Sequence, residues 1–140
     1  MASSTVPGVP FIHAGQETGD TKADYISGKI NESVRDFYKK VFSIRSQNPA
    51  LKYDGKESIS NIWKSGDNIY AYLRGYEKEK VIVTINFQNK EAISYLDLSF
   101  LNKGTVLYDE LNNEELSVNE PSNFKISVPA YGSRILTIKR

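Results

Sequence analysis

The sequence predicts a mainly β fold: an antiparallel, Greek-key-like β-sandwich of about seven strands, preceded by one α-helix and an irregular N-terminal segment. Three observations carry this expectation. A single apolar stripe of helical period runs through residues 32–47 and stops at Asn48-Pro49. From residue 58 onward, short alternating segments follow one another at near-regular spacing, with turn residues between them and no helical pattern. The first residues, to about Lys29, are rich in Gly, Pro, Ser and Thr and hold one short apolar run, Val9-Pro10-Phe11-Ile12.

Each element has a local reason. Pro7 and Pro10 allow the first run to be a short or edge strand and argue against a helix, because each removes a backbone donor. Residues 15–20 read as a loop. The helix, at about 32–47, can be capped by Asn31 or Ser33, whose side-chain oxygens accept from its orphan N–H groups. Val34, Phe37, Tyr38, Val41, Phe42 and Ile44 form its apolar stripe, with Asp36, Lys39, Lys40 and Ser43 opposite. Proline pushes the residue before it out of the α region, so Pro49 ends the helix. Arg45 interrupts the stripe. Snorkelling to water from the helix end and burial against a carboxylate or backbone carbonyls both fit. The helix is expected to dock on the sandwich through its C-terminal half, burying Phe42, Ile44 and Leu51.

Strands are expected near Ser58–Lys64, Ile69–Gly75, Lys80–Gln88, Ile93–Leu98, Gly104–Glu110, Phe124–Val128 and Arg134–Lys139. Val81, Val83, Ile85 and Phe87 alternate with Ile82, Thr84 and Asn86, the period of a strand with one face buried. Turn chemistry separates the strands at 65–68, 88–90, 111–114 and 130–133.

Composition excludes several functions. Eighteen Lys and Arg against seventeen Asp and Glu leave a net charge of +1, so nothing electrostatic points to nucleic acid or an anionic membrane as a partner. No apolar run has the length of a membrane-spanning helix, and the start, Met1 to Thr5, lacks the basic and apolar regions of a signal peptide. Cysteine is absent, which excludes a disulfide framework and a thiol nucleophile and leaves the compartment open. The lone histidine, His13, cannot build a multi-histidine metal site, and no phosphate or dinucleotide fingerprint occurs. The reading therefore assigns no catalytic residue, metal or cofactor. Asp109-Glu110 and Glu114-Glu115 flank an expected turn and read as a solvated loop.

Four segments in order carry a resemblance. Gly8, Pro10, Gly15 and Glu17, within Pro7 to Glu17, match the pattern of the eighth barrel strand of the α-amylase superfamily of glycoside hydrolases, with His13 at the usual tyrosine position as in pullulanase-like members. Phe37 to Leu51, with Arg45 and Pro49-Ala50-Leu51, resembles the last barrel helix of that superfamily. Tyr70–Arg74 and Val81–Phe87 resemble the first long hairpin of its C-terminal sandwich, in which an Asn-hydrophobic pair, here Asn86-Phe87, ends the second strand. Val128 to Leu136 resembles its closing turn and last strand. The match is general only between about Asn89 and Asn123. It departs from the family in the short connection from Thr18 to about Asn31.

The resemblance implies a division into residues 1–51, the final strand, loop and helix of a catalytic barrel, and residues 52–140, a C-terminal β-sandwich. It implies a non-catalytic structural domain of an enzyme degrading α-glucans such as starch or pullulan. Retaining glycosidases need a pair of carboxylates across the scissile bond, and in this family these precede the eighth strand, so this chain alone is expected to be inactive. Its expected partner is the barrel, with an α-glucan as a further ligand. Where the barrel is absent, self-association through the helix stripe and the strand at Val9, and disorder of the segment, are the alternatives to the expected docking of the helix on its own sandwich. The alternative is a stand-alone carbohydrate-binding module. Sugar rings stack on exposed aromatic faces, so Trp63, Tyr70 and Tyr72 are the candidates for such a platform, with Tyr76 and Tyr95 behind them. Packing of these rings between the sheets is the reading the strand pattern favours.

Overall fold

The computed structural model describes residues 1–10, 12, 31–52 and 58–139. A single helical turn, α1 (Ala2–Thr5), comes first. Helix α2 (Glu32–Gln47) is capped by Asn31, whose side chain accepts from the Val34 N–H. At its other end the Asn48 N–H bonds the Ile44 carbonyl, and the Asn48 side chain starts the next turn, α3 (Pro49–Lys52), by accepting from the Ala50 N–H at 2.9 Å. Nine strands follow among the described residues: β1 (Ile59–Asn61), β2 (Lys64–Gly66), β3 (Tyr70–Tyr76), β4 (Glu79–Ile85), β5 (Ala92–Leu96), β6 (Val106–Asp109), β7 (Glu114–Ser117), β8 (Phe124–Val128) and β9 (Ser133–Ile138).

The strands form two antiparallel sheets, a β-sandwich. One sheet has the order β1-β3-β4-β9-β6-β7 and the other β2-β5-β8. Register places Ile82 opposite Leu73 and Leu136, and these side chains face the smaller sheet. With Ala71, Leu96, Leu107, Phe124, Ile126 and Val128 they make the core between the sheets. The opposite face of the large sheet is covered as well. Tyr72, Val81, Val83, Ile85 and Ile135 meet Ala50 and Leu51 of α3, with Ile44 of α2 and Met1 and Val6 packed at the margin. The molecule is thus layered as small sheet, large sheet and helical cover.

This second core corrects the expectation for β4. Val81 through Ile85 are buried on both faces, because the strand lies in the middle layer. The same layering explains why α2 buries Val41 and Arg45 while Phe42 stays half-exposed: the sheet is reached by the turn that bears Val41, Ile44 and Arg45. Lys40, expected on the solvent side, donates to the Leu111 carbonyl at 2.7 Å.

Two further expectations change. The stretch Ser58–Lys64 is not one strand. After β1 the chain crosses to the other sheet: the Ile62 N–H bonds the Ala71 carbonyl of the large sheet, while the Trp63 carbonyl accepts from the Asp97 N–H beyond β5. The second expectation is Glu114-Glu115, which forms strand instead of loop. The Asp109 carboxylate accepts from the Leu111 and Asn112 N–H groups, so the turn closes within residues 110–113 and Glu114 already pairs with Asp109. Near the N-terminus, Val9, Pro10 and Ile12 carry no strand; a strand exists only where a neighbour takes its hydrogen bonds, and none does so here among the described residues. Phe11 lies outside them.

Side chains fix where strands stop. Asn86 follows β4, and its amide donates to the carbonyls of Lys90, Val128 and Pro129 while its Oδ1 accepts from the Gln88 N–H. It thereby ties the end of β4 to the end of β8 in the other sheet. Gly66, at φ +88°, sits 2.8 Å from the Ile93 carbonyl oxygen at the point where a Cβ would project, so no other residue fits.

Two substitutions test this packing in opposite directions. Among the described residues the buried Thr84 hydroxyl has no hydrogen-bond partner, so Thr84→Val should leave stability unchanged or raise it by about 1 kcal/mol. Asn86→Ala strips a donor from three carbonyls, of which that of Pro129 keeps the Gly132 N–H, and should cost about 2–4 kcal/mol. Chemical denaturation of the two variants reads both values.

Candidate functional site

The large sheet presents Tyr72 and Arg74 on its helix-covered face, two residues apart on β3. Arg74 is fully buried. Its Nε donates to the Ser58 carbonyl at 3.2 Å and its Nη1 to the Thr5 carbonyl at 2.5 Å. Arg45 approaches from α2. Its guanidinium donates to the carbonyls of Ser4 at 3.2 Å, Val6 at 3.4 Å and Gly8 at 2.6 Å. The choice left open for Arg45 is therefore decided for burial against backbone carbonyls. These charge-assisted bonds hold the irregular segment 4–8, which has no sheet or long helix to satisfy it. The Tyr72 hydroxyl and the Thr5 hydroxyl bond each other within the same cluster. Burial pushes the Tyr72 phenol up to about 12, against the opposing hydrogen bond from Thr5.

The sugar-platform candidates are not brought together. Tyr72 is fully buried under the N-terminal segment and offers no face to a ligand. Its burial is on the outer side of the large sheet, not between the sheets as the strand pattern suggested. Tyr70 leans on Tyr72 with ring centroids 5.1 Å apart and is 41% exposed. It borders a hollow of about 510 Å³ shared with Phe87, itself 66% exposed. Trp63 is 67% exposed, against the expectation of core packing, and lies in a different hollow of about 330 Å³ with Asn61, Leu73, Asp97, Ser99 and Phe100. Tyr76 is exposed and Tyr95 half-buried. Phe100 escaped the sequence reading. Its signal was a large aromatic placed in a polar turn.

The N-terminal half of α2 keeps an open aromatic flank. Phe37 is 39% exposed, and Tyr38 stands edge-on to it at 6.2 Å and stacks on Phe42 at 6.1 Å.

The acidic runs are structural. Asp109 is buried and pairs with Arg134 at 2.9 Å; Glu114 meets the same guanidinium at 2.6 Å. Arg134 also donates from Nε to the Ser127 carbonyl of the opposite sheet. Burial alone would lower the Arg134 pKa, but Glu114 and Asp109 outweigh it and raise it. Glu110 accepts from the Thr137 hydroxyl, and Glu115 pairs with Lys139. Among the described residues no three His, Cys, Asp or Glu side chains are grouped to hold a metal ion, and no helix is long and apolar enough to cross a membrane. His13 and Glu17 lie outside the described residues.

Residues 61–135 match the family described as the maltogenic amylase C-terminal domain. The chain is 32% identical over 66% of its length to a cyclomaltodextrinase of Thermoanaerobacter pseudethanolicus, spanning 17% of that protein. It is 26% identical over 93% of its length to an amylopullulanase of Thermoanaerobacterium saccharolyticum, spanning 11% of it. Among solved structures, the α-amylase from Geobacillus thermoleovorans superposes with a TM-score of 0.81 over 99% of this chain and 31% of that one, at 17% identity. A maltogenic α-amylase from Thermotoga neapolitana gives 0.76 over 99% of this chain and 35% of that one, at 20% identity. At such identities the structural likeness is one of fold.

The Tyr72 phenol carries a pH prediction. Its folded pKa, about 12, lies above the ordinary value of 10.0. Its contribution to stability is fully present below pH 10 and is lost as the pH rises through 12, because the unfolded chain ionises first. Unfolding free energy should fall over that window, and the fall should be shallower in Tyr72→Phe by an amount on the order of 2–3 kcal/mol. Denaturant titrations at stepped alkaline pH check this.

Proposed function

The chain belongs to the family of maltogenic amylase C-terminal domains, and from that membership we propose that it serves as the non-catalytic, structural C-terminal part of an α-glucan-degrading hydrolase. In this reading residues 1–51 belong with the catalytic barrel and residues 52–140 form the sandwich. The barrel is the partner, and the sandwich braces it through α2.

One observation carries the proposal. Helix α2 has one apolar stripe, and the sandwich and the N-terminal segment cover only part of it. Val41 and Arg45 are buried on the sheet side, while Phe37 stays exposed, with Tyr38 and Phe42 stacked beside it. A cluster of one exposed and two half-buried aromatic rings on one turn-and-a-half of helix is what a helix wedged between two bodies presents when one body is absent. Arg45, rooted in the same stripe of α2, grips the carbonyls of the segment that leads toward Val9. Asp109 and Glu114, the neighbouring carboxylates beside the turn at 110–113, are both engaged by Arg134.

The purified chain should release no reducing sugar from starch, pullulan or an activated maltoside; release that co-purifies with the chain and survives rigorous fractionation overturns the proposal. The helix supplies a second test. Phe37→Ser should change the stability of this chain by no more than about 0.5 kcal/mol, whereas Val41→Ser should cost about 2–4 kcal/mol. Equal losses from both would mean that the aromatic flank already has a partner within the chain.

A further inference from the structure

The hollow at Trp63 lies where the chain passes from β1, an edge of the large sheet, to β2, an edge of the small one. Leu73, on the face of β3 that meets the small sheet, forms its floor. The helical cover packs on the opposite face of the large sheet, so the hollow faces away from α2 and from the surface assigned above to the barrel. A barrel contact therefore does not account for the exposure of this ring.

The platform is held firmly. The Trp63 carbonyl accepts from the Asp97 N–H at 3.0 Å, so the strands that carry the indole and the carboxylate are locked together. Asp97 Oδ1 accepts from the Ser99 N–H at 3.0 Å and from the Ser99 hydroxyl. Those bonds hold its carboxyl below the usual carboxylate range, so it is an ionised acceptor. On the far wall, Lys80 Nζ sits 5.0 Å over the Phe100 ring and fixes it. Around the indole the Asn61 amide and the Ser60 hydroxyl make no hydrogen bond among the described residues.

We propose that this hollow binds a neutral pyranose unit of an oligosaccharide, with Trp63 as the stacking face and Asn61, Ser60 and Asp97 as partners for its hydroxyl groups. The chemistry selects that class. A pyranose has an apolar C–H face that suits an exposed indole, and a rim of hydroxyls, each both donor and acceptor. The wall answers with a carboxylate acceptor, a hydroxyl and an amide that does both. The lining residues include no Lys or Arg, the one cation beside them, Lys80, is engaged over the Phe100 ring, and Asp97 is ionised, so a neutral ligand is favoured over an anion. A volume of about 330 Å³ lies at the lower end of small-ligand sites, room for one or two sugar rings.

Trp63 is the only tryptophan, so its fluorescence reports this place alone. Titration of the full chain with maltoheptaose should change that fluorescence saturably. Isothermal calorimetry should show the same isotherm, weakened about tenfold or more by Trp63→Ala. Asp97→Asn should weaken it about threefold by converting a charge-assisted bond to a neutral one. Tyr70→Ala, in the other hollow, should leave it unchanged. All three variants should melt within a few degrees of the unsubstituted chain, since the substituted side chains are exposed or partly so. Failure to saturate by about 10 mM sugar, an isotherm unchanged by Trp63→Ala, or equal loss in Tyr70→Ala would overturn the proposal. None of these outcomes bears on whether the chain hydrolyses glucans or braces a barrel.

Discussion

The constraint on which the rest of the structure depends is that the large sheet is apolar on both faces. Val81, Val83 and Ile85 point one way from β4, Ile82 the other, and none reaches water. At roughly 25 cal/mol per Å² of apolar surface, neither face can be left open. The small sheet covers one. No sheet remains for the other, so the task falls to α2, α3 and the N-terminal segment. A sandwich that stood alone would begin at β1 and carry a wet face on its large sheet. This one begins with its own cover.

That cover is irregular, and irregular backbone under burial must find hydrogen bonds outside a ladder. Two arginines provide them. Arg74 reaches up from the sheet and Arg45 across from the helix, and between them they hold the carbonyls of Ser4, Thr5, Val6 and Gly8. An arginine suits this better than any neutral donor, because its planar fork spreads several N–H groups over neighbouring carbonyls. The same economy recurs at the other end of the sheets. Asn86 fastens β4 to the end of β8. Arg134 spans from the Asp109 turn on the large sheet to Ser127 on the small one. The polar groups inside this molecule stand where strands stop or where layers meet.

Much of this was legible in the sequence, and what was not has a physical reason. The sandwich, the helix at 32–47 and its Asn-Pro stop follow from periodicity and capping, which are local. The double burial of β4 was not legible from alternation alone, because Val-Ile-Val-Thr-Ile satisfies a one-face pattern and a two-face pattern equally well. Strand β7 was hidden because Glu114 and Glu115 are poor strand formers; their pairing is imposed from a distance by Asp109, which closes the turn before them. Arg45 announced itself as a charge within an apolar stripe, but its partners lie some forty positions upstream and no spacing rule reaches them. The aromatic platform failed in a similar way. Trp63, Tyr70 and Tyr72 are close in sequence, yet the crossing after β1 and the alternation of β3 send them to a sheet edge, an open rim and a buried core respectively.

The placement of the exposed aromatics then argues for two surfaces of different character. The α2 flank is a run of rings with charged neighbours at helical spacing: Glu32 with Arg35, and Asp36 with Lys39, flank it as exposed pairs. Such a surface is apolar in the middle and polar at the rim, the anatomy of a protein contact. The Trp63 hollow is the reverse. One exposed indole stands beside the Ser60 hydroxyl, the Asn61 amide and the Ser99-held carboxylate of Asp97, and the apolar area is too small to drive association of two proteins. A domain that served only as a brace would need the first surface and would gain nothing from an exposed tryptophan on the far side. A module that served only to bind sugar would need the second and would have no use for an aromatic cluster left partly open on a helix whose Val41 and Arg45 are already buried. The two occur together, on opposite sides of one middle sheet, so under the proposed roles the edge of the small sheet is free to meet a ligand while the helical cover is free to meet a barrel.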